Sequence, residues 1–156
     1  MKNKYDAIVI GAGPAGLACS AELAERGLDV AVLDEQAGPG GQIYRNITRT
    51  TPRQHAILGT DYTDGLEVVE AFTKAEIDYF PQARVWQAEE TGDVYFSKDG
   101  ASQQVKGDFL VLATGAMERP VPFPGWTLPG VMTCGGMSNL YKDSGLVPKE
   151  PVVLAG

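Results

Sequence analysis

The chain has 156 residues, 44% hydrophobic and 21% charged, which is one domain's worth of ordinary globular composition. A formal net charge of -7 argues against nucleic acid, whose phosphates need lysine and arginine, and against an anionic membrane surface. No apolar run approaches the ~20 residues of a membrane-spanning helix, and the two cysteines, Cys19 and Cys134, lie too far apart for a CxxC pair, so a reducing cytoplasm is the expected compartment.

Residues 5–10 form a short apolar run that ends at glycine, as a buried parallel strand does. Residues 14–26 read as a helix, with Pro14 in its first turn and Gly27 as its stop. Residues 29–33 give a second strand, which completes a β-α-β unit. Residues 36–60 are rich in Gly, Thr, Pro and Arg and read as loops. Residues 64–75 read as a helix with Leu66, Val69 and Phe72 on one face. Strands are expected at 82–88 and 93–98. A hairpin turn at Asp99-Gly100 leads to a third short strand near 103–106. Residues 109–113 read as another buried strand. Four prolines between 120 and 129 then enforce an extended crossing. A helix over 132–144 stops at Gly145, and residues 151–154 open one more strand.

Gly11-Ala12-Gly13-Pro14-Ala15-Gly16 fits G-x-G-x-x-G between the first strand and the first helix. Gly11 allows the tight turn, Gly13 lets backbone approach a pyrophosphate, and Gly16 lets helix and strand pack closely. The phosphates of a dinucleotide then sit at the helix N-terminus, where Pro14 and Ala15 open the first turn. Asp34 closes the second strand, eighteen residues after Gly16, and its carboxylate suits a ribose diol. Glu35 is the rival for that role. Gly38-Pro39-Gly40-Gly41-Gln42 supplies a loop free to lie against the middle of a long cofactor, with Gly41 and Gln42 as the contacts. Ala113-Thr114-Gly115 is a small, polar strand exit beside the fingerprint strand, where a doubly wound sheet binds ligand. His55, the one histidine, reads as surface, and Arg45, Arg49 and Arg53 as a solvated loop.

In this order, the GAGPAG fingerprint, the acid, the GGQ segment, a three-stranded meander and the ATG strand resemble the FAD-dependent oxidoreductases with two dinucleotide-binding domains, the pyridine nucleotide-disulfide oxidoreductase superfamily. The longer strings Gly40-Gly41-Gln42-Ile43-Tyr44-Arg45 and Ala113-Thr114-Gly115-Ala116-Met117-Glu118-Arg119-Pro120 are similar to the α-type subunits of opine oxidase, hydrogen cyanide synthase and D-hydroxyproline dehydrogenase. The resemblance implies an α/β fold: a Rossmann-like FAD-binding domain with a parallel sheet and an inserted three-stranded β-meander. It implies FAD held at Gly11, Gly13, Gly16, Asp34, Gly41, Gln42 and Gly115, with adenine contacts near Val85. It further implies hydride or electron transfer through flavin and an amine or amino-acid-derived substrate. An NAD(P) site in a longer parent and a flavoprotein partner are also expected on that ground. Residues 1–150 are expected to form the FAD-binding domain without its return segment, and 151–156 to begin a truncated second nucleotide-binding domain. A module that binds FAD or ADP without turnover is the alternative.

Overall fold

The computed structural model describes residues 2–155. The apolar run after Lys4 forms β1 (Lys4–Ile10), which pairs in parallel with β2 (Val30–Asp34). Helix α1 (Pro14–Glu25) connects them. Pro14 sits at its first positions, where a missing N–H costs nothing, and Gly27 at φ +82 closes the turn beyond it. β3 (Ile77–Pro81) extends the sheet in parallel beyond β2. β4 (Arg84–Ala88) and β5 (Asp93–Lys98) run antiparallel, and β6 (Ala101–Leu112) joins the two halves. The resulting order in one six-stranded sheet is β3-β2-β1-β6-β5-β4. The Rossmann-like layout and the meander are therefore both present.

Several elements differ from the sequence reading. The strands expected near 103–106 and at 109–113 are one strand, β6. Its first half pairs antiparallel with β5 and its second half parallel with β1, and Lys106 takes part in both ladders. Buried Gly107 makes this crossing possible, because a Cβ there would lie 2.9 Å from the Ile8 side chain. The second half is not buried on both faces either: Phe109 and Leu112 are 67% and 72% exposed. Strand β3 was not expected, since Asp78 and Pro81 break its apolar run, yet it lies in full register with β2. Residues 82 and 83 form a turn rather than the start of a strand, with Gln82 at φ +59. Inside the supposed loop 36–60, Pro52–Leu58 forms α2, capped reciprocally by Thr51 and Gln54. A short helix α3 (Thr60–Thr63) and then α4 (Gly65–Lys74) follow. On α4, Val69 and Phe72 are buried but Leu66 is exposed. Helix α5 (Cys134–Ser144) ends at Gly145 in the left-handed region, as expected. Residues 151–155 form no strand. Val152, Val153 and Leu154 are exposed, with no neighbouring strand among the described residues to pair with.

The sheet separates two apolar clusters. Ile8, Ile10, Ala31 and Leu33 pack with Ala83, Val94, Phe96 and Val105 of the meander side. Val9, Val30 and Val32 pack with Leu17 of α1 and with Val69 and Phe72 of α4. The C-terminal ends of β1 and β2 are thus held by packing on both sides, and the glycine turn leaves from that rim.

Tyr79 on β3 carries a testable defect. Its ring meets Phe72 edge-on at 5.3 Å, but its buried hydroxyl has no hydrogen-bond partner among the described residues. Burial, and then the Asp34 carboxylate, push its phenol well above the ordinary range. Removing an unsatisfied buried hydroxyl removes its desolvation cost. Tyr79→Phe is therefore expected to raise stability by about 1 kcal/mol, read as a higher urea midpoint at unchanged slope. A lower midpoint would mean that the hydroxyl is bonded in solution.

Candidate cofactor site

The turn from β1 into α1 is built from three glycines with different jobs. Gly11 has φ +106, and a Cβ on it would overlap the carbonyl oxygen of Ala113 at the end of β6. A Cβ on Gly16 would overlap the carbonyl oxygen of Gly11 and stand 3.3 Å from the Ala113 side chain. These two glycines allow turn, helix and strand to close on one another. Gly13 is different. The nearest atom to a Cβ there is the Gly41 Cα at 4.0 Å, so its side-chain position faces open space. Gly13 is also the N-cap of α1 and offers no side-chain cap, and no acidic residue stands in the first turn. Ala15 is exposed at that end. The helix therefore presents uncapped amides and the positive end of its dipole to whatever enters the open space.

The two candidate acids have different surroundings. Asp34 is 7% exposed. One of its carboxylate oxygens accepts the Ala12 amide at 2.5 Å, and the other accepts the Gln36 amide at 2.6 Å. Its carbonyl accepts the Ala83 amide at 2.9 Å. Asp34 thus ties the glycine turn, the end of β2 and the entry to β4 together. Glu35 is exposed, and among the described residues its carboxylate accepts a 3.4 Å contact from the Gln36 side chain.

A second wall comes from the loop after β2. The Gly40 amide donates to the Ala12 carbonyl at 2.8 Å, and Gly41 brings backbone against Gly13: a Cβ on Gly41 would lie 2.8 Å from the Gly13 Cα. Gly41 also has φ +59. Both features require glycine there. Gln42 is exposed, and its amide donates to the Ala116 carbonyl at 3.2 Å, linking this loop to the exit of β6. Ala113 lies against Gly11 and Gly16, while Thr114 and Gly115 are exposed just beyond it. Val85, half-buried on β4, stands two residues past the amide that holds Asp34. The structure therefore brings Gly11, Gly16 and Ala113 together and sets Gly41 against Gly13, with Asp34 bonded to Ala12 in the same turn and Gln42 bonded to Ala116 just past β6. Pro14 and Ala15 open α1 there, and among the described residues no hydrogen bond joins Glu35, Thr114, Gly115 or Val85 to that turn.

The residues match a family over 5–150, described as Pyridine nucleotide-disulphide oxidoreductase. The chain belongs to that family. An opine oxidase subunit from Agrobacterium tumefaciens is 48% identical over the whole of this chain, which covers 33% of that protein. Hydrogen cyanide synthase subunit HcnB from Pseudomonas protegens is 40% identical over 96% of this chain, which covers 32% of it. Among solved structures, L-proline dehydrogenase from P. horikoshii superposes on 90% of the chain with a TM-score of 0.71 at 20% identity, and the match covers 28% of that chain. The chain spans about a third of the length of these two curated relatives. Membership of this family supports FAD as the cofactor. The glycine turn fits that cofactor. It pairs an uncapped helix N-terminus with an unfilled side-chain position at Gly13, which is what a pyrophosphate requires.

Sequence reasoning missed three contributors: Gly40, which bonds Ala12; Gln36, which bonds Asp34; and α5, which reaches Gln42. The Asn139 amide donates to the Gln42 side-chain oxygen at 3.4 Å, and Lys142 donates to the Gln42 carbonyl at 3.1 Å. The N-terminus of α5 is in turn held by Glu118, whose carboxylate accepts from the Thr133 hydroxyl and the Gly135 and Gly136 amides. Those bonds, Thr133 first, hold Glu118 below the usual carboxylate range. Apart from the Gln36–Asp34 bond, which spans two residues, no signal within a local window shows these pairings, because they join segments about 15 to 100 residues apart. Among the described residues no cluster of His, Cys, Asp and Glu could hold a metal ion, and no helix is long and apolar enough to cross a membrane.

Proposed function

We propose that this chain is the FAD-holding part of an oxidoreductase subunit that acts on a secondary amine or an amino-acid derivative. The observation that carries the reading is the open position at Gly13, framed by the α1 N-terminus and Gly41. The α1 amides would hold the pyrophosphate, and Glu35, whose carboxylate is exposed and holds no backbone amide among the described residues, would meet the ribose diol. Asp34 would hold the loop in place. Gly41, Gln42, Thr114 and Gly115 would line the path toward the flavin, and Val85 would lie toward the adenine. The flavin would supply hydride or electron transfer, and these residues would place it. Residues 1–150 would form this domain and 151–156 would lead into a second nucleotide-binding domain, in the cytoplasm.

Identity of 48% over the full chain to an opine oxidase subunit supports the substrate class. A second reading follows from the same comparisons. Both curated relatives are subunits by name, so substrate oxidation could take place on a partner flavoprotein while this subunit relays electrons.

The cofactor reading is tested by titrating the 156-residue chain with FAD, by flavin fluorescence, and with NAD, by calorimetry. FAD is expected to bind at least tenfold more tightly, a difference of about 1.4 kcal/mol or more. Tighter binding of NAD would overturn the assignment.

A further inference from the structure

The polar bonds beside the glycine turn continue into a chain that ends on α5. Asp143 accepts from Arg45 Nε at 2.7 Å through one carboxylate oxygen and from Asn46 Nδ2 at 2.8 Å through the other. Arg45 Nη1 donates to the Gln36 side-chain oxygen at 3.3 Å, and the Arg45 carbonyl accepts the Tyr62 hydroxyl at 2.7 Å. The Gln36 amide donates to Asp34, and Asp34 in turn holds the amide of Ala12 inside the fingerprint. The path Asp143–Arg45–Gln36–Asp34–Ala12 thus crosses from α5 to the cofactor turn. A cleft of about 280 Å³ lies along it, lined by Gln36, Gly38, Arg45, Arg49 and Asp143 among others.

Apolar packing anchors the loop only through the half-buried Tyr44, which packs against the core cluster that includes Ala12, and it does not reach α5. Helix α5 buries no residue, and between 36 and 46 only Gly40 is buried. Asn46 adopts φ +56, a conformation disfavoured for a residue with a Cβ, and its side chain is held by Asp143. The Arg45 and Asp143 side chains are 28% and 39% exposed, so their ion pair is more shielded than an ordinary surface pair.

We infer that Asp143 is a positioning residue of the nucleotide site: through Arg45 and Gln36 it fixes the 36–46 loop against Asp34 and the glycine turn. The inference rests on reading that turn as the nucleotide site.

The test uses the 156-residue chain with Asp143→Ala, Asp143→Glu, Arg45→Ala and the double variant Asp143→Ala/Arg45→Ala. Arg26→Ala, which breaks an exposed ion pair on α1, is the control. ADP binding is measured by calorimetry, and amide hydrogen exchange is followed at Ala12, Gln36, Ile8 and Val9. Asp143→Ala and Arg45→Ala are each expected to weaken ADP binding roughly tenfold, and the double variant no further, because both cut one path. Asp143→Glu is expected to recover part of the loss. Exchange should speed up at Gln36 and Ala12 in the alanine variants while Ile8 and Val9 keep their protection, which general loosening of the fold would not produce. Wild-type affinity in Asp143→Ala, or additive losses in the double variant, would overturn the inference. If the wild type does not bind ADP, the nucleotide reading fails. Exchange at Gln36 and Ala12 then decides the positioning role alone: acceleration supports it, and unchanged protection sinks it.

Discussion

Gly13→Val is expected to abolish FAD uptake while leaving the fold intact. The backbone there is extended, at φ -74 and ψ 180, which valine adopts readily. Its side chain would enter open space, since nothing lies nearer than the Gly41 Cα at 4.0 Å. That space is where a pyrophosphate must come against the α1 amides, so the expected loss of affinity is at least about 100-fold. Gly16→Val has the opposite character. Its Cβ would overlap the Gly11 carbonyl oxygen, which is backbone and cannot step aside cheaply, so this variant should lose more than about 3 kcal/mol of stability. Circular dichroism and a urea titration separate the two outcomes, and flavin fluorescence reads the binding. A folded Gly13→Val chain that takes up FAD like the wild type would show that the phosphates lie elsewhere.

The contrast among these glycines shows how far the sequence could be read. G-x-G-x-x-G between an apolar run and a helix is a local pattern, and its three glycines do three separate jobs in the structure. The β1-α1-β2 unit was legible for the same reason: Pro14, Gly27 and two short apolar runs are neighbours in sequence. The site's second wall was only partly legible. Gly41 and Gln42 could be named, because three glycines in four positions signal close backbone approach. Their partners could not, because Gly13, Ala116, Asn139 and Lys142 reach them through tertiary contacts. Strand β6 reads as two strands because Gly107 and Asp108 separate the stretch 103–106 from the apolar run 109–113. It is there that β6 changes partners, from β5 to β1. Strand β3 was hidden by Asp78, whose carboxylate accepts the Tyr5 hydroxyl at 2.7 Å and so serves the sheet rather than solvent.

Asp34 and Glu35 are adjacent in sequence, and their substitutions are expected to have opposite effects. Replacing Asp34 by alanine removes the acceptor of two backbone amides, Ala12 and Gln36, at a site only 7% exposed. Orphaned buried donors are costly, and the expected loss of stability is about 3 kcal/mol. Asp34→Asn should recover only part of it, because its NH₂ group would face one of the two amide donors. Glu35→Gln leaves every backbone bond in place, so its stability should stay within about 0.5 kcal/mol of wild type. Its effect should fall on the ligand: a carboxylate accepts both hydrogen bonds of a ribose diol, whereas the amide offers one acceptor and opposes the other hydroxyl with a donor. FAD and ADP should each bind roughly tenfold more weakly to Glu35→Gln, by an equal factor because both carry the same ribose. Urea denaturation of the three variants, with calorimetric titration of ADP into each, reads both quantities. If Asp34→Asn keeps wild-type stability but loses ADP, and Glu35→Gln binds ADP normally, the buried acid reads the ribose and the exposed one does not.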